Sequence, residues 1–457
     1  MTALQRLLDE VGDVVVTHPD RLEAMRTDRS GWIAADRPLA LVEARTVEQV
    51  QTAVGIAHET GTPIVPRGAG TGLAGGANGT AGSIVLSLAR MDRILEIASA
   101  DEYAVVQPGV INADLNAALA PHGLWFAPDP VSRDIASVGG NIATNAGGLL
   151  CTKYGVTREA VLALDIVLSD GTLLRTGRQT VKGVTGLDLT ALFVGSEGTL
   201  GVVVGAVLRT PPLPQGDTTT VGALFDDIAA AASAASAITA AGLHPAVMEL
   251  IDASTLDLIT DYLGEETIRS TLGTSAGGSY LLVQFDAGTG SHTGLAALSL
   301  MEDKGGAGRL SRDPDEAEAL LRIRGSVNPA LSAVGTMLIE DVAVPRSRMP
   351  DMFAAIERIA AEHDVFIPTI AHAGDGNLHP TFVYDGPEVP EEIWAAADEM
   401  FQTATELGGT LTGEHGVGVL KRQWLKGELG DVSYRLQEQI KEVFDPRGIF
   451  NPGKVFH

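Results

Sequence analysis

Three of the ten histidines fall between residues 372 and 415. In His372-Ala373-Gly374-Asp375-Gly376-Asn377-Leu378-His379, two imidazoles flank a glycine-rich turn. Residues 366–370 read as a strand and 379–384 as its return. A hairpin of that kind brings two such side chains onto one face. Further on comes Gly413-Glu414-His415-Gly416. Two histidines and a carboxylate make a three-ligand catalytic metal set with an open position. Zinc and manganese both accept these donors. The competing reading is that histidines beside a glycine turn only hydrogen-bond the loop, and spacing does not separate the two. His415 adjoins Glu414 and, on an extended segment, points to the opposite face. A side chain titrating at about 6.5 is matched to taking a hydroxyl proton near neutral pH.

The second chemical feature is glycine. The chain has 53, and the first half gathers them at 68–82, 139–148 and 195–201. One such cluster reads equally well as a surface loop. Three, each beside a β-like run, point to one ligand that backbone approaches closely. Gly70-Thr71-Gly72-Leu73-Ala74-Gly75 matches G-x-G-x-x-G. The dinucleotide fold needs a helix to open there, and Gly76-Ala77-Asn78-Gly79-Thr80-Ala81-Gly82 is too glycine-rich for one. A nest of loop N–H groups cradles phosphate without a helix. Gly448 to Val455 approaches the Walker A spacing, but Val455 stands where a hydroxyl must hold magnesium, and that reading is rejected.

The elements that position these residues form a mixed pattern. Strand-like runs are 39–43, 63–66, 84–88, 104–107, 161–169 and 202–209. Helices are expected at 47–60, between Thr46 and Gly61, and at 112–122, stopped by Gly123. Strict βαβ alternation is missing, which points to an α+β fold. Pro211-Pro212-Leu213-Pro214-Gln215-Gly216 reads as a linker. Beyond it come strands at 218–224, 246–251 and 280–285 and helices at 228–241 and 292–302. The expected organisation is a domain over 1–214, a second over 215–411, and a segment, 412–457, that packs back on the first.

Composition bounds the rest. In 457 residues, 58 acidic side chains face 32 basic ones, a net charge of −26. That charge opposes nucleic-acid binding and a polybasic membrane anchor. A hydrophobic fraction of 45% with 20% charged residues is ordinary for a globular chain. The single cysteine, Cys151, excludes an intramolecular disulfide, a four-cysteine zinc site and a cysteine-ligated iron–sulfur cluster within the chain. A reducing, cytoplasmic location is expected, with peripheral membrane association open. The N-terminus does not read as a signal peptide, and no apolar run is long enough to span a bilayer.

The glycine clusters are specific enough to carry a resemblance. Pro66-Arg67-Gly68-Ala69-Gly70-Thr71-Gly72-Leu73 comes first, then Ser137-Val138-Gly139-Gly140-Asn141 with Thr144-Asn145-Ala146-Gly147-Gly148, then Gly195-Ser196-Glu197-Gly198-Thr199-Leu200-Gly201. Together they resemble the PCMH-type FAD-binding domain of the vanillyl-alcohol-oxidase flavoproteins. The second half resembles the C-terminal domain of the FAD-linked oxidases, in the branch that holds D-lactate dehydrogenase, D-2-hydroxyglutarate dehydrogenase and the flavoprotein component of glycolate oxidase. The resemblance runs from Arg37-Pro38 to Asn451-Pro452-Gly453-Lys454. It implies a PCMH-type domain, an α+β cap domain with an antiparallel sheet, and a C-terminal segment returning to the FAD domain.

For the cofactor it implies non-covalent FAD, since the first loop lacks the histidine that some relatives use for covalent attachment. Residues 66–73 would wrap the pyrophosphate. Pro128-Asp129-Pro130 and the 137–148 cluster would line the isoalloxazine and ribityl region. Gly198, Leu200 and Gly201 would approach the adenine side, and Asn451 joins the cofactor residues. For the chemistry it implies His372, His379 and Glu414 as ligands of zinc or manganese. His415 becomes general base on the C2 hydroxyl, and Arg324 clamps the substrate carboxylate, with Arg322 left at the surface.

The resulting expectation is an FAD-dependent dehydrogenase passing hydride from a D-2-hydroxy acid to flavin N5. The D configuration comes from the resemblance alone. Hydroxyglutarate-type relatives carry a lysine where an ungapped match puts Ile339, and a hydroxyl-bearing residue where Asn328 stands. That departure favours a smaller acid such as D-lactate, glycolate or D-2-hydroxybutyrate. Alternatives are a D-2-hydroxyglutarate dehydrogenase and a non-catalytic flavoprotein subunit of a glycolate-oxidase-like complex. A nicotinamide-using flavin reductase has no need of the ligand set, and a metal hydrolase leaves the glycine clusters unexplained. With no iron–sulfur centre in the chain, electrons must leave to an external acceptor: quinone, cytochrome, electron-transfer flavoprotein, an iron–sulfur subunit or oxygen. A homodimer is an open expectation.

Overall fold

The computed structural model describes residues 1–274, 277–286 and 290–456. The chain divides into two units. One comprises Met1–Gly148, Gly155–Leu213 and Glu414–His457, the other Leu149–Tyr154 and Pro214–Gly413.

The first unit contains two sheets. In one, β1 (Val15–Val16), β2 (Ala40–Glu43), β3 (Ile64–Arg67) and β4 (Ile84–Ser87) lie in the order β1-β2-β4-β3, with β2 and β3 parallel to β4. Leu41, Val42, Val65, Val85 and Leu86 are all buried, as strands covered on both faces require. Helix Val47–Thr60 joins β2 to β3. The Thr46 hydroxyl accepts from the Gln49 N–H at its start, and Gly61 closes it at φ 67°, as the sequence leads one to expect. The second sheet is antiparallel. It holds β5 (Ile94–Ala98), β6 (Tyr103–Val106), β7 (Val161–Val167), β8 (Leu173–Gly177) and β9 (Val202–Arg209) in the order β5-β6-β9-β7-β8. Phe126, Ile142, Phe193 and Leu200 belong to the core on this sheet.

The segment from Glu414 belongs to this unit. Its helix, Arg422–Phe444, breaks at Gly430, where φ is 71°. The tail beyond it edges the parallel sheet. The Ile64 N–H donates to the Ile449 carbonyl at 2.7 Å, and the Asn451 N–H returns a bond to the Ile64 carbonyl at 2.8 Å.

The second unit is built on one eight-stranded antiparallel sheet. Its strands are β10 (Thr219–Phe225), β11 (Val247–Ile251), β12 (Ser279–Phe285), β13 (Ala307–Leu310), β14 (Thr336–Ile339), β15 (Val342–Ala343), β16 (Thr369–His372) and β17 (Asn377–Tyr384). Their order is β13-β10-β12-β11-β16-β17-β14, with β15 also on β17. Helices Ala253–Leu263, Glu265–Leu272, Pro314–Gly325 and Val327–Ser332 contribute Leu256, Ile268, Leu320, Ile323 and Val327 to a core shared with Leu224, Ile251, Tyr280, Leu282 and Ile370. The short stretch Leu149–Tyr154 belongs to this unit, although the sequence gives no sign that it leaves the glycine-rich run before it. Lys153 and Tyr154 both bind Asp286, and a Cβ on Gly374 would overlap the Thr152 side chain.

Candidate active site

The β16–β17 hairpin places the histidine pair. Ile370 is opposite His379 and His372 is opposite Asn377. His372 and His379 therefore share a face, two rungs apart along the ladder. Their rings meet edge to face with centroids 4.9 Å apart and an interplanar angle of 84°. Both are buried. Gly376, at φ 91°, lets the turn close over the Val344 carbonyl, a spot that a Cβ would invade.

A buried carboxylate lies near each imidazole. Glu249 on β11 is the direct cross-strand partner of His372, and its Oε1 lies 2.6 Å from His372 Nδ1. The other oxygen, Oε2, accepts the Arg324 Nε–H at 2.7 Å. Burial would raise the Glu249 carboxyl, but the charges of His372 and Arg324 more than offset it and hold it below the ordinary carboxylate range. Asp341, fully buried, has Oδ1 3.9 Å from His379 Nδ1. It accepts from Asn377 Nδ2 at 2.5 Å and from the Thr412 hydroxyl at 2.6 Å.

Arg324 lies in the last turn of helix Pro314–Gly325, next to the buried Ile323, with its side chain 12% exposed. Arg322 is exposed, as expected. Asn328 is exposed, and Ile339 sits on β14 opposite Thr381. Glu414 and His415 open the segment assigned to the first unit. Their facing atoms, Oε1 and Nε2, are 3.9 Å apart. Gly413, the residue before them, packs so tightly on Asn377 that a Cβ would overlap its amide. The donor set fits a divalent ion: two buried imidazoles, one hydrogen-bonded to Glu249 as metal-binding histidines commonly are, the other 3.9 Å from Asp341. Glu249 escaped the sequence reading. Its only signal was a lone carboxylate inside the otherwise apolar strand Val247–Ile251, and such a residue needs a partner when buried.

In the first unit the glycine segments converge. Among the described residues, no backbone N–H from Ala69 to Leu73 donates to a protein acceptor. Gly70 holds φ 70° there. Gly68 abuts the Ser137 hydroxyl, Gly139 the Pro108 ring, and Gly148 the Asp129 carbonyl, so closely that a Cβ at any of them would overlap its neighbour. Ser137 caps helix Val138–Thr144 by accepting from Gly140 N–H, and Asn145 ends it at φ 54°. The Thr144 hydroxyl donates to the Gly140 carbonyl at 3.1 Å. Asn141 Nδ2 is buried without a hydrogen-bond partner. Ala69 and Ser137 line a cavity of about 230 Å³ together with Gly109, Val110 and Ile111. The row of free donors and the orphaned Asn141 amide fit an anionic, acceptor-rich cofactor such as FAD.

Other residues named from the sequence bond or pack within this unit. Arg67 turns into the loop and donates to the carbonyls of Ala77 and Thr27. Burial lowers its pKa. Pro128 offers its carbonyl to Asn112. Gly147 is buried. Gly201 packs on Ile166 and Gly198 on Pro66. Asn451 donates Nδ2 to the carbonyls of Gly76 and Glu197, while its Oδ1 is buried without a partner. Glu197 accepts the Val417 and Gly418 N–H groups at 2.8 Å each. Burial raises its carboxyl.

Comparison with known proteins assigns a family to both halves of the chain. Residues 38–177 match the family described as "FAD binding domain", and residues 215–455 match "FAD linked oxidases, C-terminal domain". The chain is 42% identical to the glycolate oxidase subunit GlcD of Bacillus subtilis, over 92% of this chain and 89% of the relative. It is 33% identical to D-lactate dehydrogenase of Anaerostipes hadrus, over 92% and 90%. Among solved structures, the 4-ethylphenol oxidase of Gulosibacter chungangensis shares the fold with a TM-score of 0.78 at 20% identity, covering 99% of this chain and 96% of that one. The PCMH-type α+β fold read from the sequence is the fold of this chain. Among the described residues no helix is long and apolar enough to cross a membrane. The chain belongs to the FAD-linked oxidases.

Proposed function

We propose that the protein oxidises a small D-2-hydroxy acid, of the size of D-lactate or glycolate, to the 2-oxo acid. The observation that carries this reading is the group on one face of the second unit's sheet: Arg324, His372 and His379, gathered about the buried Glu249. An arginine fork is matched to a carboxylate, and its Nε is already committed to Glu249, which leaves the terminal nitrogens for substrate. The names of the relatives, glycolate oxidase subunit and D-lactate dehydrogenase, point to the same substrate class. Ile339 in place of a lysine leaves no second cation there for a distal carboxylate, which favours the smaller acids over D-2-hydroxyglutarate.

FAD, when bound, supplies the hydride acceptor, held non-covalently by residues 66–73, 137–148 and 198–201 with Asn451. A divalent metal on His372, His379 and Glu414 would acidify the substrate hydroxyl. The free N–H groups from Ala69 to Leu73 hold the cofactor's anionic part without adding side-chain charge. Arg324 holds the substrate carboxylate and so orients C2. The His415 imidazole takes the hydroxyl proton. Electrons then pass to an acceptor outside the chain, because Cys151 alone builds no iron–sulfur centre.

The test is anaerobic reduction of purified yellow protein by D-lactate, L-lactate, glycolate, D-2-hydroxybutyrate and D-2-hydroxyglutarate, read as bleaching of the visible flavin band. Bleaching by the small D-acid or by glycolate is expected. Bleaching by D-2-hydroxyglutarate alone would overturn the substrate size, and bleaching by none would overturn the activity.

A further inference from the structure

We propose that Glu249 is a positioning residue whose single carboxylate fixes both a metal-binding imidazole and the substrate-binding guanidinium. The inference deepens the functional reading above and rests on its metal. Its basis is geometric. Glu249 is 1% exposed, and each of its oxygens has one partner at short range: Oε1 with His372 Nδ1 at 2.6 Å, and Oε2 with Arg324 Nε at 2.7 Å.

The two contacts have separate consequences. With Nδ1 donating to the carboxylate, His372 is held in the tautomer that carries its lone pair on Nε2. A carboxylate behind an imidazole also raises its strength as a ligand. On the other side, Nε is the guanidinium nitrogen that Glu249 occupies. Arg324 then presents only the edge formed by its two terminal nitrogens. Without Glu249 the guanidinium could swing and offer its Nε edge instead.

The register explains why this residue and no neighbour does so. Glu249 faces His372 directly across the β11–β16 ladder and Leu282 across the β11–β12 ladder. Leu282 and Ile370 belong to the core that helix Pro314–Gly325 covers with Leu320 and Ile323. Arg324 follows Ile323 in that helix, and the wall around the carboxylate is apolar. A charge placed there has no water to lean on, so its three-member chain must be complete.

The experiment uses the purified flavoprotein stripped with a chelator and titrated with Mn²⁺ alone by calorimetry. Wild type should bind Mn²⁺. Glu249→Gln should bind it about 10- to 100-fold more weakly while keeping its flavin absorbance. If Glu249→Gln does not fold because Arg324 is left unpaired, the double variant Glu249→Gln/Arg324→Gln removes both charges and should show the same Mn²⁺ loss. Arg324→Gln alone, which keeps the Glu249–His372 contact, should lose less Mn²⁺ affinity than Glu249→Gln. Glu249→Asp, a methylene shorter, should recover no more than part of the affinity. Wild-type binding with undiminished affinity in the Glu249 variants overturns the positioning role and leaves the metal standing. Absence of Mn²⁺ and Zn²⁺ binding by wild type overturns the metal itself.

Discussion

Lys454 is tied to Asn78 by a buried hydrogen bond, its Nζ donating to the Asn78 carbonyl at 2.6 Å and also to that of Gly76 at 2.9 Å. The tail thereby fastens the end of the first glycine loop. Burial pushes the Lys454 ammonium down to about 7; Asp28 and Glu197 oppose the fall and Arg67 adds to it. An unfolded lysine keeps its proton to about 10.4. Between these values the unfolded chain binds more protons than the folded one, so stability rises with pH. From pH 7 to 9 the gain from this residue is about 2 kcal/mol. Thermal melts of wild type and Lys454→Met at both pH values should differ in slope, the variant gaining less on the alkaline side. Equal slopes would mean that Lys454 stays charged when folded.

Gly148 lies against the Asp129 carbonyl with no room for a Cβ. Backbone on both sides makes that contact rigid, so Gly148→Ala must displace one of the two segments assigned to the cofactor. The purified variant should retain little flavin, at least about tenfold less than wild type, a cost of about 1.4 kcal/mol or more in cofactor binding. Gly68→Ala meets only the Ser137 hydroxyl, and Ser137→Ala removes it. The double variant Gly68→Ala/Ser137→Ala should therefore regain flavin that Gly68→Ala loses. Flavin content per chain, from absorbance after denaturation, decides both cases.

What the sequence disclosed was local. The hairpin carrying His372 and His379 was legible because a glycine turn between two apolar runs defines its own register. The helix Val47–Thr60 announced both its ends through Thr46 and Gly61. The edge strands β5 and β8 were not legible: Leu95 and Glu96 are exposed in β5, and Arg175 and Gly177 in β8, so neither shows a clean apolar pattern. Glu249 and His372 meet only because two strands far apart in sequence pair in one register, and no local signal encodes that choice. Arg67 shows another limit: a motif does not say where a side chain turns, and this one turns to the carbonyls of Ala77 and Thr27.

Arg324 gives a test of substrate recognition that does not depend on overall folding. Arg324→Lys keeps a positive charge near Glu249 but loses the planar fork. The apparent affinity for D-lactate in anaerobic flavin reduction should weaken about tenfold, equivalent to about 1.4 kcal/mol, with the limiting reduction rate changed much less. That split is expected for a group that holds the carboxylate equally in ground and transition states. A change confined to the limiting rate would instead place Arg324 at the reacting carbon.

His415 carries the proton transfer in the proposed reaction, and its removal should separate binding from chemistry. His415→Ala should purify yellow, since the cofactor residues lie elsewhere in the sequence, and should still bind D-lactate as judged by perturbation of the flavin spectrum. Its limiting rate of flavin reduction should fall by about 10²- to 10⁴-fold, the range for loss of a general base. The wild-type rate should climb on the acid side of its pH profile as the base loses its proton, and that limb should be flat in the variant. His415→Gln, which keeps a hydrogen-bonding side chain but cannot accept the proton, should behave like Ala. If Gln restores the rate, the residue orients the hydroxyl by hydrogen bonding, and the base is another group.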